Sequence, residues 1–223
     1  IFETAISLPD TRKVHRLKVA DLRTFEFRKH PAWKDAICQN TRDHLFPPDP
    51  SIPWSGPEDL SHRTLPGWDS EYFYLFCEVR DDTHSNPFRG ISIWKGDSIQ
   101  LGLDTFNDAD GKLAYDSDDY EFTFAKDRKP WAHHAPPFCT SPAEVDGIQT
   151  VITRDETTKT TVYRIAIPRS RLEPLKLREG TVFGLALCIN DVDPSKPRRT
   201  MNFGSGISDV KCPGLFIKMM LCE

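Results

Sequence analysis

Apolar and polar residues alternate along much of the chain with the two-residue period of a half-buried β-strand. In the stretch Ser98–Asp104, SIQLGLD, the residues Ile99, Leu101 and Leu103 share one face. The same alternation predicts further strands that begin at Glu71, Tyr120, Val162, Val182 and Leu215. Repeated short strands of this kind predict an all-β chain.

Turn-forming pairs separate the predicted strands, at Asp69-Ser70, Asp110-Gly111, Asp146-Gly147, Glu179-Gly180 and Pro213-Gly214. Helical periodicity is limited to a turn or two at 33–37 and 170–175. Many strands, few helices and frequent turns predict an antiparallel β-sandwich with long loops. We interpret residues 1–223 as a single domain that is a module of a larger protein.

Composition narrows the classes of partner. The formal net charge is −4 and the basic residues are scattered, which argues against nucleic-acid binding. The sequence has no apolar run of membrane-spanning length, which argues against a membrane partner. The sequence begins at Ile1 without a signal-like segment, and we expect the mature or excised form of a secreted or cell-surface protein.

Six cysteines fall into two groups. Cys77 and Cys188 lie inside apolar strand patterns, and we expect them to pack as small hydrophobic residues. The others lie nearer segment ends and are candidates for pairing: Cys38, Cys139, Cys212 and Cys222. They do not have the C-x-x-C spacing typical of zinc sites.

Acidic residues crowd one loop and its flanks, at Asp104, Asp108, Asp110, Asp116, Asp118 and Asp119. Asp81 and Asp82 end an earlier predicted strand, and Asp191 and Asp193 end a later one. Like charges repel unless solvent screens them or a cation gathers them. Calcium, which takes about six to eight oxygen ligands, suits such loops. A structural calcium ion and a solvated acidic loop are both open interpretations.

Tryptophan is the more informative candidate for ligand binding. Trp54, Trp68, Trp94 and Trp131 lie in or beside loops, and we expect Trp68 to pack in the core. An exposed indole offers a flat apolar face that stacks on the C–H face of a sugar. For Trp94, stacking and structural packing are both open. The histidines of WAHHAPP, at 131–137, are interpreted as part of an exposed loop.

Six segments occur in the order and spacing of family 9 carbohydrate-binding modules, which the chain resembles over residues 60–221. They are WDSEYFYLFCEVRDDTH, IWKGDSIQLGLDTFND, DSDDYEFTF, TVYRIAIPRSRLEPL, GTVFGLALCINDVD and CPGLFIKMML. The resemblance implies an immunoglobulin-like or DOMON-like jelly-roll sandwich, structural calcium and non-catalytic binding of a poly- or oligosaccharide. It also implies a covalently linked catalytic domain, since such modules are usually appended to secreted glycoside hydrolases.

The resemblance assigns residues as well. Trp94 matches the first of two tryptophans that sandwich a sugar in the family. The calcium-loop acids are matched by Asp81, with Asp82, Asp97 and Asp104 as further candidates.

The chain departs from the family at four positions of the implied sugar site. Val210 or Lys211 stands in place of the second tryptophan. Gln100, Thr123 and Cys188 replace a glutamate, an arginine and a glutamine. We therefore hypothesise that Gln100 orients the ligand, since its amide both donates and accepts hydrogen bonds.

The lost wall of the site requires a substitute, and loop residues at the same end of the inferred sandwich are candidates. We hypothesise that Trp131 supplies the second wall and that Arg198, Arg199 or Asn202 approaches from the loop after Asp193.

Other functions stay open at this point. One is a structural or docking sandwich in a larger secreted enzyme, with a decayed sugar site. Another is haem binding through Met201 and His84, and the weakest is a hydrolase with paired carboxylates.

Overall fold

A computed structural model describes residues 11–110, 113–135, 141–194, 196–208 and 210–223. The strands are β1 (Arg12–Arg16), β2 (Ile37–Gln39), β3 (Leu45–Phe46), β4 (Leu60–Trp68), β5 (Tyr72–Asp81), β6 (Ser98–Asp104), β7 (Asp119–Phe124), β8 (Trp131–His134), β9 (Ala143–Glu144), β10 (Gln149–Asp155), β11 (Thr160–Pro168), β12 (Val182–Asp191), β13 (Arg199–Phe203) and β14 (Ile217–Cys222). Short 3₁₀ helices cover Phe27–Lys29, Pro31–Asp35, Arg42–His44, Gly90–Lys95, Arg169–Arg171 and Pro213–Leu215. The prediction of an all-β chain is confirmed.

The strands hydrogen-bond in the order β10-β11-β5-β4-β1-β14-β12-β6-β7-β8-β9. Pairing is antiparallel along this path except at β1, which runs parallel to both β4 and β14. β13 adds to β12 off this path. The predicted antiparallel sandwich is therefore confirmed, with one parallel strand joining its two halves.

The main core lies between two layers of strands. Alternate residues of β5 and β11 are buried in one cluster with alternate residues of β6, β7 and β12. Representative members are Phe73, Leu75, Ile99, Leu101, Phe122, Ile165 and Leu187. The odd-numbered positions of β5, β6 and β12 therefore face inward, and their even-numbered positions face outward.

The outer face of β5 is covered by the N-terminal segment. The Phe27 ring stacks on Phe76 with ring centroids 5.2 Å apart, and Leu17 and Trp33 belong to the same second cluster. The two apolar faces of β5 are thus both buried, one in the main core and one under a loop.

Alternation did not predict eight of the strands, β1–β4, β8–β10 and β13, and two of them, β4 and β8, show the reason. β4 contains Pro66 and Gly67, which interrupt the pattern of a strand. The stretch interpreted as an exposed loop contains β8, so that interpretation is wrong for 131–134. In both, cross-strand pairing with β5 or β7 outweighs the local sequence preference.

Trp68 and the cysteines follow the core expectations where they are described. Trp68 is buried, and its Nε1 donates to the carbonyl oxygens of Val14 and Cys222. Cys77 and Cys188 are fully buried. Within the described residues, Cys38 and Cys222 form no disulfide bond. Cys139 lies outside the described residues.

The buried side chain of His62 makes the stability of the fold depend on pH. Its ring nitrogens lie 2.7 Å from Gln39 Oε1 and 2.9 Å from Thr64 Oγ1, and burial lowers its pKa from 6.5 to about 3. The unfolded chain therefore binds a proton that the native chain does not, and His62 makes stability fall as the pH drops from 6.5 towards about 3.

We expect His62→Gln to lose less stability than wild type over this range, measured by urea denaturation. Parallel stability–pH curves for the two proteins would contradict this expectation.

Candidate functional site

A cavity of about 340 Å³ opens on the outer face of the layer formed by β7, β6 and β12. This volume lies near the lower end of the range of roughly 300–1,000 Å³ seen for small-molecule sites. Its lining combines one indole, three aliphatic side chains and several polar or charged groups: Trp94, Ile91, Ile207, Val210, Gln100, Glu121, His133, Arg198, Ser208 and Lys211. Trp94, Gln100 and Arg198 were among the residues predicted from the sequence.

Strand register brings distant residues together on the outer face that carries this cavity. Gln100 in β6 lies opposite Thr123 in β7 and Cys188 in β12. Cys188 in turn lies opposite Asn202, and Thr123 lies opposite Trp131. All five side chains share one row on the outer face, because directly opposed residues in a sheet point the same way.

Trp94 forms one wall of the cavity. It belongs to the 3₁₀ helix Gly90–Lys95, which Ile93 anchors in the interior. The indole is half-buried, and the Arg198 guanidinium carbon lies 4.8 Å from its ring centroid. The Lys95 ammonium lies 5.7 Å from the same centroid. The indole is therefore a partly exposed surface held between cations and not a core residue.

Glu121 forms the charged floor of the cavity. Its side chain is fully buried, and it accepts hydrogen bonds from Gln100 Nε2 at 2.8 Å and the Tyr115 hydroxyl at 2.7 Å. Lys211 Nζ lies 2.8 and 2.7 Å from its two oxygens. Lys211, one of the two residues that could stand in place of the second tryptophan, thus neutralises a buried carboxylate, which is costly to leave unpaired.

A second chain of hydrogen bonds links the floor to the wall. Asn190 Nδ2 donates to Gln100 Oε1 at 3.1 Å, and Arg198 donates to Asn190 Oδ1 at 2.6 Å. The Gln100 amide is therefore fixed in orientation, with its oxygen occupied and one N–H still available for a ligand.

The adjacent residues His133 and His134 have different surroundings. His133 lines the cavity, and its Nε2 is buried without a hydrogen-bond partner. Burial lowers the pKa of His133, which favours its neutral form. His134 instead places Nε2 2.6 Å from the carbonyl oxygen of Asp116. Sequence reasoning missed His133 because the bulge between β7 and β8 decides its direction.

Three residues proposed from the sequence for the sugar site, Trp131, Arg199 and Asn202, lie outside the cavity lining. The Trp131 ring sits over Gly90, where a Cβ would lie 3.7 Å from the indole and where φ is +56°. Trp131 therefore packs against the helix that carries Trp94 and is not the second wall. Asn202 donates through Nδ2 to Ser208 Oγ at 2.6 Å and so lies behind a lining residue. Met201 is fully buried in the main core.

A cluster of acids closes the main core at one end of the sandwich. Asp81 continues the inward row of β5, and Asp191 continues that of β12. Asp81, Asp191 and Asp193 have carboxylate oxygens within 4.8 Å of one another. The Oδ1 atoms of Asp191 and Asp193 are buried without hydrogen-bond partners. A set of buried carboxylates with unpartnered oxygens fits a hard divalent cation such as calcium.

Arg199 neutralises part of this acid cluster. Its guanidinium NH2 lies 2.7 Å from Asp59 and 3.1 Å from Asp193, and its Nε donates to Asp191. Lys196 Nζ also lies 2.7 Å from Asp193. Even so, burial raises the pKa of Asp191 to about 8, so its negative charge lacks full compensation.

Asp97 lies beside the same acid cluster. Its Oδ1 accepts from the Val192 N–H at 2.8 Å, and its Oδ2 lies 3.3 Å from His84 Nδ1. Burial, reinforced by the nearby charge of Asp81, raises the pKa of Asp97 to about 9. Asp82 is exposed, and one of its oxygens lies within 4.8 Å of Asp59 and Asp193 oxygens.

Asp104 does not join the other predicted metal ligands. It ends β6, whereas Asp97 precedes that strand, and it clusters with Asp108 and Asp118. Both Asp104 oxygens accept backbone N–H groups, from Asn107 at 2.6 Å and Ala109 at 3.3 Å. Of the four candidates, Asp81, Asp82 and Asp97 therefore lie at the acid cluster, whereas Asp104 lies apart from them.

The fold is a mostly antiparallel β-sandwich, and the cavity on its outer face has an indole wall and a polar floor. These features are typical of β-sandwich proteins that bind a small ligand. The model of the carbohydrate family 9 binding domain-like family matches residues 52–209, and the chain belongs to that family. The family resemblance found in the sequence is thereby confirmed.

Solved structures show the same fold. A family 9 carbohydrate-binding module from Caldicellulosiruptor kristjanssonii, in complex with cellotriose, has a TM-score of 0.68 at 18% identity, covering 95% of this chain and 93% of that chain. A structure from the same organism in complex with glucose has a TM-score of 0.67 at 16% identity, covering 95% and 96%. No curated protein matches the sequence. Among the described residues, no helix has the length and apolarity to cross a lipid bilayer.

Removal of the Arg199 charge is expected to destabilise the fold strongly. Replacing Arg199 with methionine leaves three buried carboxylates without their shared guanidinium, and breaking such a pair costs about 3–5 kcal/mol. Urea denaturation measures the loss. The exposed Arg23 provides the matched control, because Arg23→Met is expected to change stability by less than about 0.5 kcal/mol. Equal losses in the two variants would contradict a structural role for Arg199.

Proposed function

We propose that this chain is a non-catalytic carbohydrate-binding module that takes a poly- or oligosaccharide into the cavity beside Trp94. The observation that carries the proposal is a half-exposed indole forming the wall of a cavity whose floor is polar. An indole that offers an apolar face, beside fixed amides and carboxylates, suits a sugar ring with its hydroxyls. The cellotriose and glucose complexes of the similar structures support the same ligand class.

The residues divide the work of binding. Trp94 packs against the ring of the sugar, and the remaining N–H of Gln100 donates to a hydroxyl. Glu121 holds Gln100 and Lys211 in place, since hydrogen bonds reach both of its oxygens. A carboxylate so engaged is poorly placed to act as a general acid or base, which favours binding over catalysis.

The parent protein is part of the proposal. We propose that this module is covalently linked to a glycoside hydrolase and works outside the cell. Membership of the family supports this setting. The linked enzyme gains residence on its polysaccharide, because tethering converts a second encounter into an intramolecular one.

We also propose a structural calcium ion held by Asp81, Asp191 and Asp193. The two unpartnered buried oxygens support this assignment, and calcium would bring the ends of β5 and β12 together. The proposal replaces the four-residue set drawn from the sequence. It does not extend to Asp104, whose oxygens already accept backbone N–H groups.

A structural or docking role is the second candidate, and Lys211 is the observation that favours it. An ammonium engaged with Glu121 occupies one of the two positions, 210 and 211, at which the resemblance places a second stacking tryptophan. A site with one aromatic wall binds less strongly than one with two. The two candidate functions differ in whether any saccharide binds in a Trp94-dependent way.

Loss of the indole is expected to abolish binding. Affinity electrophoresis in gels containing neutral and acidic polysaccharides is expected to show retarded migration of the wild type on at least one of them. Truncating an aromatic anchor costs about 2 kcal/mol or more, which weakens affinity about thirtyfold. Trp94→Ala should therefore migrate as if no polysaccharide were present.

The exposed Phe106, which is not a cavity-lining residue, provides the control for this experiment. Phe106→Ala should migrate like the wild type. Unretarded wild type on every polysaccharide, or retardation equal in Trp94→Ala, would favour the docking role instead.

Calcium is expected to raise the melting temperature. An ion that binds the native state at a hundred times its dissociation constant adds about 2.7 kcal/mol of stability. Thermal melting in calcium and in chelator measures the shift, and Asp81→Asn should reduce it. Asp146→Asn, at an exposed carboxylate, is the matched control and should retain the full shift. Identical melting temperatures in calcium and chelator would count against a bound ion.

A further inference from the structure

We propose that the sugar taken by this cavity is a carboxylated one, a uronic acid, whose carboxylate pairs with Arg198. This inference rests on the proposed carbohydrate-binding function and deepens it by naming the class of sugar. It is carried by the charge, the hydrogen-bonding capacity and the geometry of the cavity lining.

The cavity holds a positive charge that the protein leaves uncompensated. Lys211 and Glu121 neutralise each other through contacts of 2.8 and 2.7 Å. Arg198 donates to the neutral amide oxygen of Asn190, and among the described residues it forms no ion pair with a carboxylate. An arginine stays charged at all relevant pH values. The lining therefore presents one net cation to its ligand.

The strongest acceptor of the lining is already engaged, whereas its guanidinium keeps free donors. Donors occupy both oxygens of Glu121, and Asn190 occupies the oxygen of Gln100. The Arg198 guanidinium has several N–H groups and uses one in its bond to Asn190. A neutral hydroxyl donates as well as accepts, whereas a carboxylate only accepts. A carboxylate is the better complement to such a lining.

The placement of Arg198 fits a planar anion. The guanidinium lies over Trp94, 4.8 Å from the ring centroid, and both residues line the cavity. Beyond its bond to Asn190, the guanidinium has further N–H groups, and its planar fork suits two-point pairing with a carboxylate. Arg198 is half-buried, so water and salt screen such a pair less than one on the open surface.

The apolar part of the lining is complementary to the ring of the proposed sugar. Ile91, Ile207 and Val210 line the cavity together with the indole. A uronic acid combines a ring with apolar C–H faces and a carboxylate on one edge. Its ring matches the apolar lining, and its carboxylate matches Arg198.

Matched pairs of ligands test this inference directly. Oligogalacturonate and oligoglucuronate are each compared with their methyl esters, which keep the shape and remove the charge, by isothermal titration calorimetry. Charge-assisted hydrogen bonds are worth more than neutral ones, and we expect at least one acid to bind about tenfold tighter than its ester. Cellotriose is the neutral reference.

Variants assign the preference to its residue. Arg198→Gln should bring the affinities for acid and ester together, and Arg198→Lys should keep part of the preference, since it keeps the charge and loses the planar fork. Arg23→Gln, at an exposed arginine outside the cavity, is the matched control and should keep all of it. Trp94→Ala should weaken binding of acid and ester alike.

The outcomes separate this inference from the proposed function. Trp94-dependent binding with equal affinity for acid and ester, or an acid preference that survives in Arg198→Gln, overturns the inference and leaves carbohydrate binding standing. Failure of the acids, the esters and cellotriose to bind overturns both.

Discussion

The structure depends on the neutralisation of carboxylates that its strands carry into the interior. Arg199 does this at one end of the sandwich, where its guanidinium joins Asp59, Asp191 and Asp193 and also donates to the carbonyl oxygen of Pro53. One side chain thereby ties the loop before β4 to the end of β12 and the start of β13. Burying these charges costs desolvation free energy, and the ion pairs offset that cost only if their geometry is kept. This requirement constrains the geometry at this end of the fold.

The same contact positions the candidate site. Arg198 and Arg199 are consecutive, so at the entry to β13 their side chains point to opposite faces. Arg199 is locked inward among the acids, and Arg198 is therefore directed outward, to Asn190 and the face of Trp94. The cavity repeats the principle on its floor, where Lys211 compensates Glu121. The cavity beside Trp94 therefore contains one compensated charge pair, Lys211 with Glu121, and one further cation, Arg198.

Local alternation was sufficient to predict β5, β6, β7, β11, β12 and β14, because each carries apolar residues at a period of two. It missed β4, where Pro66 and Gly67 interrupt the pattern. The site was accessible to sequence reasoning where the resemblance named a residue, as for Trp94 and Gln100. Glu121 was visible as a polar position between Tyr120 and Phe122, yet its role depends on the pairing of β6 with β7 and on a lysine far along the chain. Trp131 is an aromatic residue that could form a wall of the cavity, but its ring packs against Gly90 instead.

The acids considered as metal ligands also show that the sequence pattern alone does not reveal which side chains meet in space. Asp97 and Asp104 flank one strand, and at about 3.3 Å per residue they lie roughly 23 Å apart, so they cannot share an ion. Strand parity distinguishes them: Asp97 continues the inward row of Ile99 and Leu101, whereas Asp104 continues the outward row of Gln100. The same parity places Asp81 and Asp191 inward at the end where Asp97 lies. The parity of each acid relative to the apolar row of its strand therefore decides which carboxylates meet, and acid density alone does not reveal this.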